Sequence, residues 1–286
     1  MLLVTGTKRS GTSMWMQILE AAGIQVLGDA FPRDWEEVIG EANPHGFYES
    51  RLRHGIYFAT NPNPETGDYL RPDETRELAV KVFIPGVIKS DMAFIDKVVA
   101  SIRNWREYDP SLRRLYDMES SRRQEKRITT GDAALQPVPT LTPALEWWRE
   151  NFSLIGDVLT RRYPIHMVAY ESVLRDPHRV VTEAIAWLGV GDGERALEAV
   201  DPSARTQSDG AADIDGIEPE VAEVFDELYS RIRDREPLET TFIAKLNETH
   251  ARLQPRIAEE LKSIRRQRME RRREVLRRAA ERDEQE

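Results

Sequence analysis

The residues best placed to do chemistry lie in the first turn of the chain. Gly6-Thr7-Lys8-Arg9-Ser10-Gly11-Thr12-Ser13 follows an apolar run, Leu2–Thr5, and precedes a helical pattern with Met14, Ile18, Leu19 and Ala22 on one side. Glycine lets backbone turn tightly and approach an anion closely. The amides that open a helix then point at that anion, helped by the helix dipole. Lys8, Arg9 and the hydroxyls of Ser10, Thr12 and Ser13 add charge-assisted donors. Such a segment is expected to hold a phosphate-bearing ligand.

The loop nearly fits the ATP/GTP pattern G-x-x-x-x-G-K-[ST], but Thr12 occupies the lysine position and the positive charge has moved to Lys8 and Arg9. Nor does a clear apolar strand end in a magnesium-binding Asp. This favours a nucleotide handled without metal, with its transferred group near Arg9.

Lys8-Arg9-Ser10-Gly11-Thr12-Ser13 resembles the P-[KR]-S-G-T-[ST] signature of sulfotransferases that use 3′-phosphoadenosine 5′-phosphosulfate (PAPS), with Lys8 in place of the usual proline. A second segment, Lys97 to Ser111, resembles the family's 3′-phosphate site, an Arg at a strand end and a Ser eight residues on. Arg103 and Ser111 have that spacing, and Trp105 departs from the usual proline. A third, Ile165 to Pro177, is similar to the family's Y-E-d-L-x-x-d-P segment; Tyr170 and Glu171 are expected to cap a helix and contact the core. The resemblance covers about residues 1–190. It implies in-line sulfuryl transfer to a hydroxyl or amine, with PAPS as co-substrate, no metal, and Lys8, Arg9, Ser10, Gly11, Thr12, Ser13, Arg103 and Ser111 binding the donor. Arg9 would neutralise the leaving oxygen. The family's G-x-x-G-x-x-K segment is not evident, and Arg205 is its nearest substitute.

Val80-Lys81-Val82-Phe83-Ile84-Pro85 resembles the family's K-x-H-x-P strand, so Lys81 is either a sulfuryl contact or a lysine snorkelling from a strand end. Phe83 stands where the histidine base would be. Some group must take the acceptor proton. Glu49 comes first, then Asp29, with His45 and His54 as further candidates. Glu49 also reads as an acid at a helix start. Phe31, Trp35, Phe47, Tyr48, Tyr57, Phe58 and Phe83 suit either an apolar acceptor pocket or ordinary core. A kinase built on the same loop, and a non-catalytic nucleotide-binding or scaffold protein, are the competing readings.

These residues need a scaffold. Leu2–Thr5, Ala79–Phe83, Val98–Ile102 and Ile165–Ala169 read as buried strands separated by helical patterns over 12–22, 142–162 and 179–188. That alternation predicts an α/β fold, a P-loop-like parallel sheet of about four to five strands flanked by helices, with a helical C-terminal extension. The expected division is 1–215 for the α/β domain and 216–286 for the extension, with partial packing of the extension on the domain allowed. Residues 117–140 read as a mobile lid or disordered loop, and Pro255 as a break or kink in the last helix. Beyond Arg265 the apolar stripe fails, leaving a solvated helix or a partner-binding arm, and a homodimer through the C-terminal helices is one arrangement this allows.

Among 286 residues there is no cysteine, so disulfides and thiolate metal sites are excluded. The net charge of −9 argues against a general nucleic-acid binder. No apolar run is long enough to span a membrane. The N-terminus lacks a signal-peptide core, which points to the cytoplasm. The expected partner is a small-molecule, carbohydrate or lipid acceptor.

Overall fold

A computed structural model describes residues 1–31, 45–130, 140–201 and 216–283. β1 (Leu2–Gly6), β2 (Gln25–Leu27), β3 (Leu78–Lys81), β4 (Lys97–Ile102) and β5 (Ile165–Ala169) form one sheet in the order β2-β3-β1-β4-β5. Every pairing is parallel. The fold is therefore α/β, with α1 (Thr12–Ala21), α2 (Ile84–Lys89), α3 (Trp105–Thr130), α4 (Pro143–Arg161), α5 (Tyr170–Arg175), α6 (Pro177–Leu188) and α7 (Gly193–Leu197) around it. α8 (Pro219–Asp234) and α9 (Thr240–Asp283) follow.

Side chains alternate across the strands, as a sheet covered on both faces requires. Leu2, Val4, Ala79 and Val99 pack with Trp15, Ile18, Val181 and Leu188 of α1 and α6. Leu3, Val80, Val98 and Ala100 pack on the other face with Val87 of α2 and Leu154 of α4. A third cluster joins α3, α4, α8 and α9 beside the sheet. Its centre is Phe225, stacked on Trp148 at 4.8 Å and met edge-on by Trp105 at 5.4 Å. The C-terminal helices thus share a core with the α/β elements.

Two sequence expectations change. Residues 117–130 are not irregular: α3 is a 26-residue helix that runs to Thr130. Their Arg, Glu, Gln and Lys residues favour helix locally without marking an apolar stripe. Residues 131–139 of the expected lid lie outside the described residues, as do Trp35 and Arg205. Of the break or kink expected at Pro255, the break is absent: α9 runs through it. A proline removes one backbone donor, and buried Leu253 and Ile257 hold the helix on either side.

The chain leaves β1 toward β2 on one side and leaves β4 toward β5 on the other. The carboxyl ends of adjacent β1 and β4 are therefore the switch point where open α/β sheets form a crevice. Gly6 and Ser101 are register partners there. The loop at 6–13 and Arg103 emerge side by side. Among the described residues no helix is long and apolar enough to cross a membrane.

Candidate functional site

The loop is built around two left-handed residues, Arg9 at φ 63° and Gly11 at φ 86°. A left-handed arginine stores backbone strain, which persists only where surroundings enforce it. Ser10 supplies that brace: its Oγ donates to the Thr7 carbonyl at 2.6 Å, and its own carbonyl accepts from Ser101 Oγ. Ser10 is fully buried and holds the loop's shape. Gly11 is the residue before α1, and no side chain caps the amides that follow it. Buried Thr12 starts the helix.

Gly11 is also required by its neighbour. A Cβ at this position would lie 2.4 Å from the Tyr170 ring. Tyr170, the first residue of α5, thus lies across the loop, and the Arg103 guanidinium sits 5.1 Å from its ring centre.

Arg103 and Ser111 come together as their spacing predicts. Arg103, 4% exposed, donates from Nη1 to Ser111 Oγ at 3.2 Å and to the Arg9 carbonyl at 3.1 Å. Arg9 Nε reaches the same hydroxyl at 3.4 Å. Two guanidiniums converge on one side chain. Burial and the Arg103 charge lower the Arg9 pKa from its ordinary value, the direction expected of a cation held beside another. Glu107 Oε2 lies 3.5 Å and Glu171 Oε1 3.9 Å from Arg103. Glu171 also accepts from the Asn104 amide at 3.2 Å and from the Tyr229 hydroxyl at 2.6 Å. It joins the start of α3 to α8, a structural role.

Lys81 does not snorkel. It is 5% exposed, and its Nζ donates to the Phe47 carbonyl at 2.7 Å and to Ser13 Oγ at 3.1 Å. Glu49 Oε1, on a residue 4% exposed, is 2.8 Å away. Ser13 donates in turn to Phe47 O at 3.2 Å. Burial lowers the Lys81 pKa and Glu49 opposes that shift. Glu49 Oε2 makes no hydrogen bond, and Arg53 Nε lies 3.9 Å from it. The knot ties the first turn of α1 to the end of β3, and it brings two of the expected residues into contact.

Asp29 and Glu49 exchange both backbone hydrogen bonds, each at 3.1 Å. They are direct partners in an isolated antiparallel bridge, but Asp29 is exposed whereas Glu49 is buried. The histidines are arranged otherwise. His54 lies edge-on against Phe83 with ring centres 5.7 Å apart, and burial, then Arg53, lower its pKa. His45 is 3.8 Å from Asp201 at the surface.

Lys8 reaches α3 and α4. Its Nζ donates to the Tyr116 hydroxyl at 2.8 Å and lies 3.7 Å from Glu146 Oε1. Burial works against its charge, but Glu146 and Tyr116 outweigh it and raise the pKa. Tyr116, Glu146, Glu150 and Tyr170 are site residues that the loop motif alone did not reveal. Their signal is tertiary, a polar residue on the inner face of a helix otherwise lined by Trp and Leu.

Of the aromatic group, Phe31 and Phe47 meet edge-on at 6.3 Å, and Phe47 belongs to the core around Phe225. Phe58 is 90% exposed and lines no interior pocket. No protein-family model matches the chain, and no curated protein matches it.

Proposed function

We propose that this chain is a sulfotransferase that moves a sulfuryl group from PAPS to a hydroxyl or amine of an acceptor. The observation that carries the reading is the convergence of Arg9 and Arg103 on Ser111, beside a helix start with no side-chain cap. Two guanidiniums forced together in a largely buried crevice favour an anion with more than one phosphate-like group. Thr12 in place of the loop lysine argues against the ATP-dependent alternative.

In this reading Arg103 and Ser111 hold the donor's 3′-phosphate. The amides of Gly11 to Ser13 and the Arg9 guanidinium hold the 5′-phosphosulfate. The acceptor oxygen or nitrogen attacks sulfur in line, its bond to sulfur forms, and the sulfur–oxygen bond to the phosphate breaks. Arg9 neutralises the charge left on that oxygen. Lys81, whose three donors go to Phe47 O, Ser13 Oγ and Glu49 Oε1, positions Glu49, which takes the acceptor's proton through Oε2. Positioning and charge stabilisation supply most of the rate, as in phosphoryl transfer. The cytoplasm is the compartment this chemistry suits.

Thermal unfolding with nucleotide tests it. In EDTA, 3′-phosphoadenosine 5′-phosphate should raise Tm more than adenosine 5′-phosphate does, because only the former engages Arg103 and Ser111. Labelled sulfate should then pass from PAPS to some member of a broad acceptor panel. No Tm response at millimolar nucleotide sinks the proposal. A response only to ATP with Mg²⁺ puts a kinase in its place.

A further inference from the structure

Beyond the donor crevice, the inner faces of α3 and α4 hold four polar side chains that the transfer scheme does not use. Glu146 and Glu150 lie one turn apart on α4. Tyr108 and Tyr116 lie two turns apart on α3. Tyr116 OH is 3.2 Å from Glu146 Oε2. Tyr108 is wholly buried, its hydroxyl makes no hydrogen bond, and burial, then Glu146, Glu150, Tyr116 and Asp109, push its pKa up. A buried hydroxyl without a partner is costly and calls for an explanation.

Lys8 shows what the cluster accepts. Its ammonium lies against the Tyr116 hydroxyl at 2.8 Å, Glu146 at 3.7 Å and the Tyr116 ring at 5.0 Å from the centre. Carboxylate, phenol and aromatic face together are how proteins bind organic ammonium groups. The lysine enters from the loop side and is 41% exposed, so solvent reaches its ammonium end. The acid is in surplus over that one ammonium. Burial, then Glu146, push the Glu150 carboxyl up to about 8, while Lys8 and Arg149 pull it down. One ammonium therefore leaves the second carboxyl largely protonated at neutral pH.

We propose that Tyr108, Tyr116, Glu146 and Glu150 form a subsite for an organic ammonium group, which anchors an amine-bearing acceptor next to the loop. The word acceptor rests on the sulfuryl-transfer reading; the subsite does not. The anchoring nitrogen stays protonated and is not the nucleophile, so the acceptor carries a separate hydroxyl or amine that takes the sulfuryl group. Lys8 holds the place of the ligand's ammonium until the ligand arrives.

Calorimetric titration of the full chain without nucleotide tests the subsite, with n-hexylammonium and 1-hexanol as probes. Hexylammonium should bind at least about tenfold more tightly than hexanol, the scale of a charge-assisted contact. Glu150→Gln and Tyr108→Phe should each weaken hexylammonium about tenfold and leave hexanol unchanged. Glu150→Gln removes a carboxylate that burial disfavours, so it should fold. Lys8→Ala removes the competing ammonium and should strengthen hexylammonium binding. Equal affinity for the two probes overturns the proposal, as does undiminished binding to Glu150→Gln or lost binding to Lys8→Ala. A chain that binds hexylammonium but ignores 3′-phosphoadenosine 5′-phosphate keeps this subsite and loses the transferase reading.

Discussion

Lys81 and Glu49 form a buried pair, each under 6% exposed and 2.8 Å apart. Such a pair contributes little net stability against an apolar replacement, but removing one partner strands a buried charge. Lys81→Met should therefore cost about 3–5 kcal/mol in urea denaturation. Lys81→Met with Glu49→Leu should cost less than Lys81→Met alone, and a double variant as unstable as the sum of its parts would show that the two do not couple. Under the proposed function Glu49→Gln abolishes transfer while leaving donor affinity intact, measured as kcat against the donor KM. Arg9→Ala should lower kcat by about 10²–10³, the scale of one lost transition-state donor. Arg103→Ala should mainly raise the donor KM, because its contacts lie at the ground-state phosphate.

The loop between β1 and α1 depends on glycine for two separate reasons. Gly11 adopts φ 86°, and the Tyr170 ring leaves a Cβ no room. Gly11→Ala should destabilise the fold by about 1–3 kcal/mol through strain and overlap. Adding Tyr170→Ala should relieve the overlap and not the strain, so thermal denaturation should show partial recovery; full recovery would mean that φ costs nothing. The elements themselves were unevenly legible. β1, β3 and β4 are mostly apolar runs buried on both faces, and β5 is a mostly apolar run half-buried over its first three residues, so pattern alone located them. β2 is three residues at a sheet edge with Gln25 exposed, and no run marks it. α3 beyond Asp117 carries charge on most faces, so it offered no stripe to distinguish helix from loop. Gly6–Ser13 and the Arg103–Ser111 pair were legible because local spacing fixes them. The contacts of Lys81 with Glu49, and of Lys8 with Tyr116 and Glu146, join distant segments, and no periodicity encodes them.

At the scale of the whole molecule, the helices from residue 216 onward complete the core around Phe225, so stability couples the crevice to the C-terminal region. Half-buried Glu150 on α4 makes that stability depend on pH. Burial and Glu146 raise the Glu150 pKa, Lys8 from the loop and Arg149 on its own helix oppose them, and Glu150 acts in turn on Tyr108 of α3. In the folded chain it keeps its proton to about pH 8, whereas the ordinary value is 4.5. Between those values the folded state binds more protons than the unfolded state, so unfolding free energy falls as pH rises, and levels off above about 8. After allowance for partial screening, this one group removes roughly 1–4 kcal/mol across that window. Glu150→Gln cannot titrate. It should be more stable than the parent at pH 9, with the difference shrinking toward pH 5, as read by urea denaturation along a pH series. A difference that stays constant with pH would show that the Glu150 carboxyl does not hold its proton through neutral pH in the folded chain.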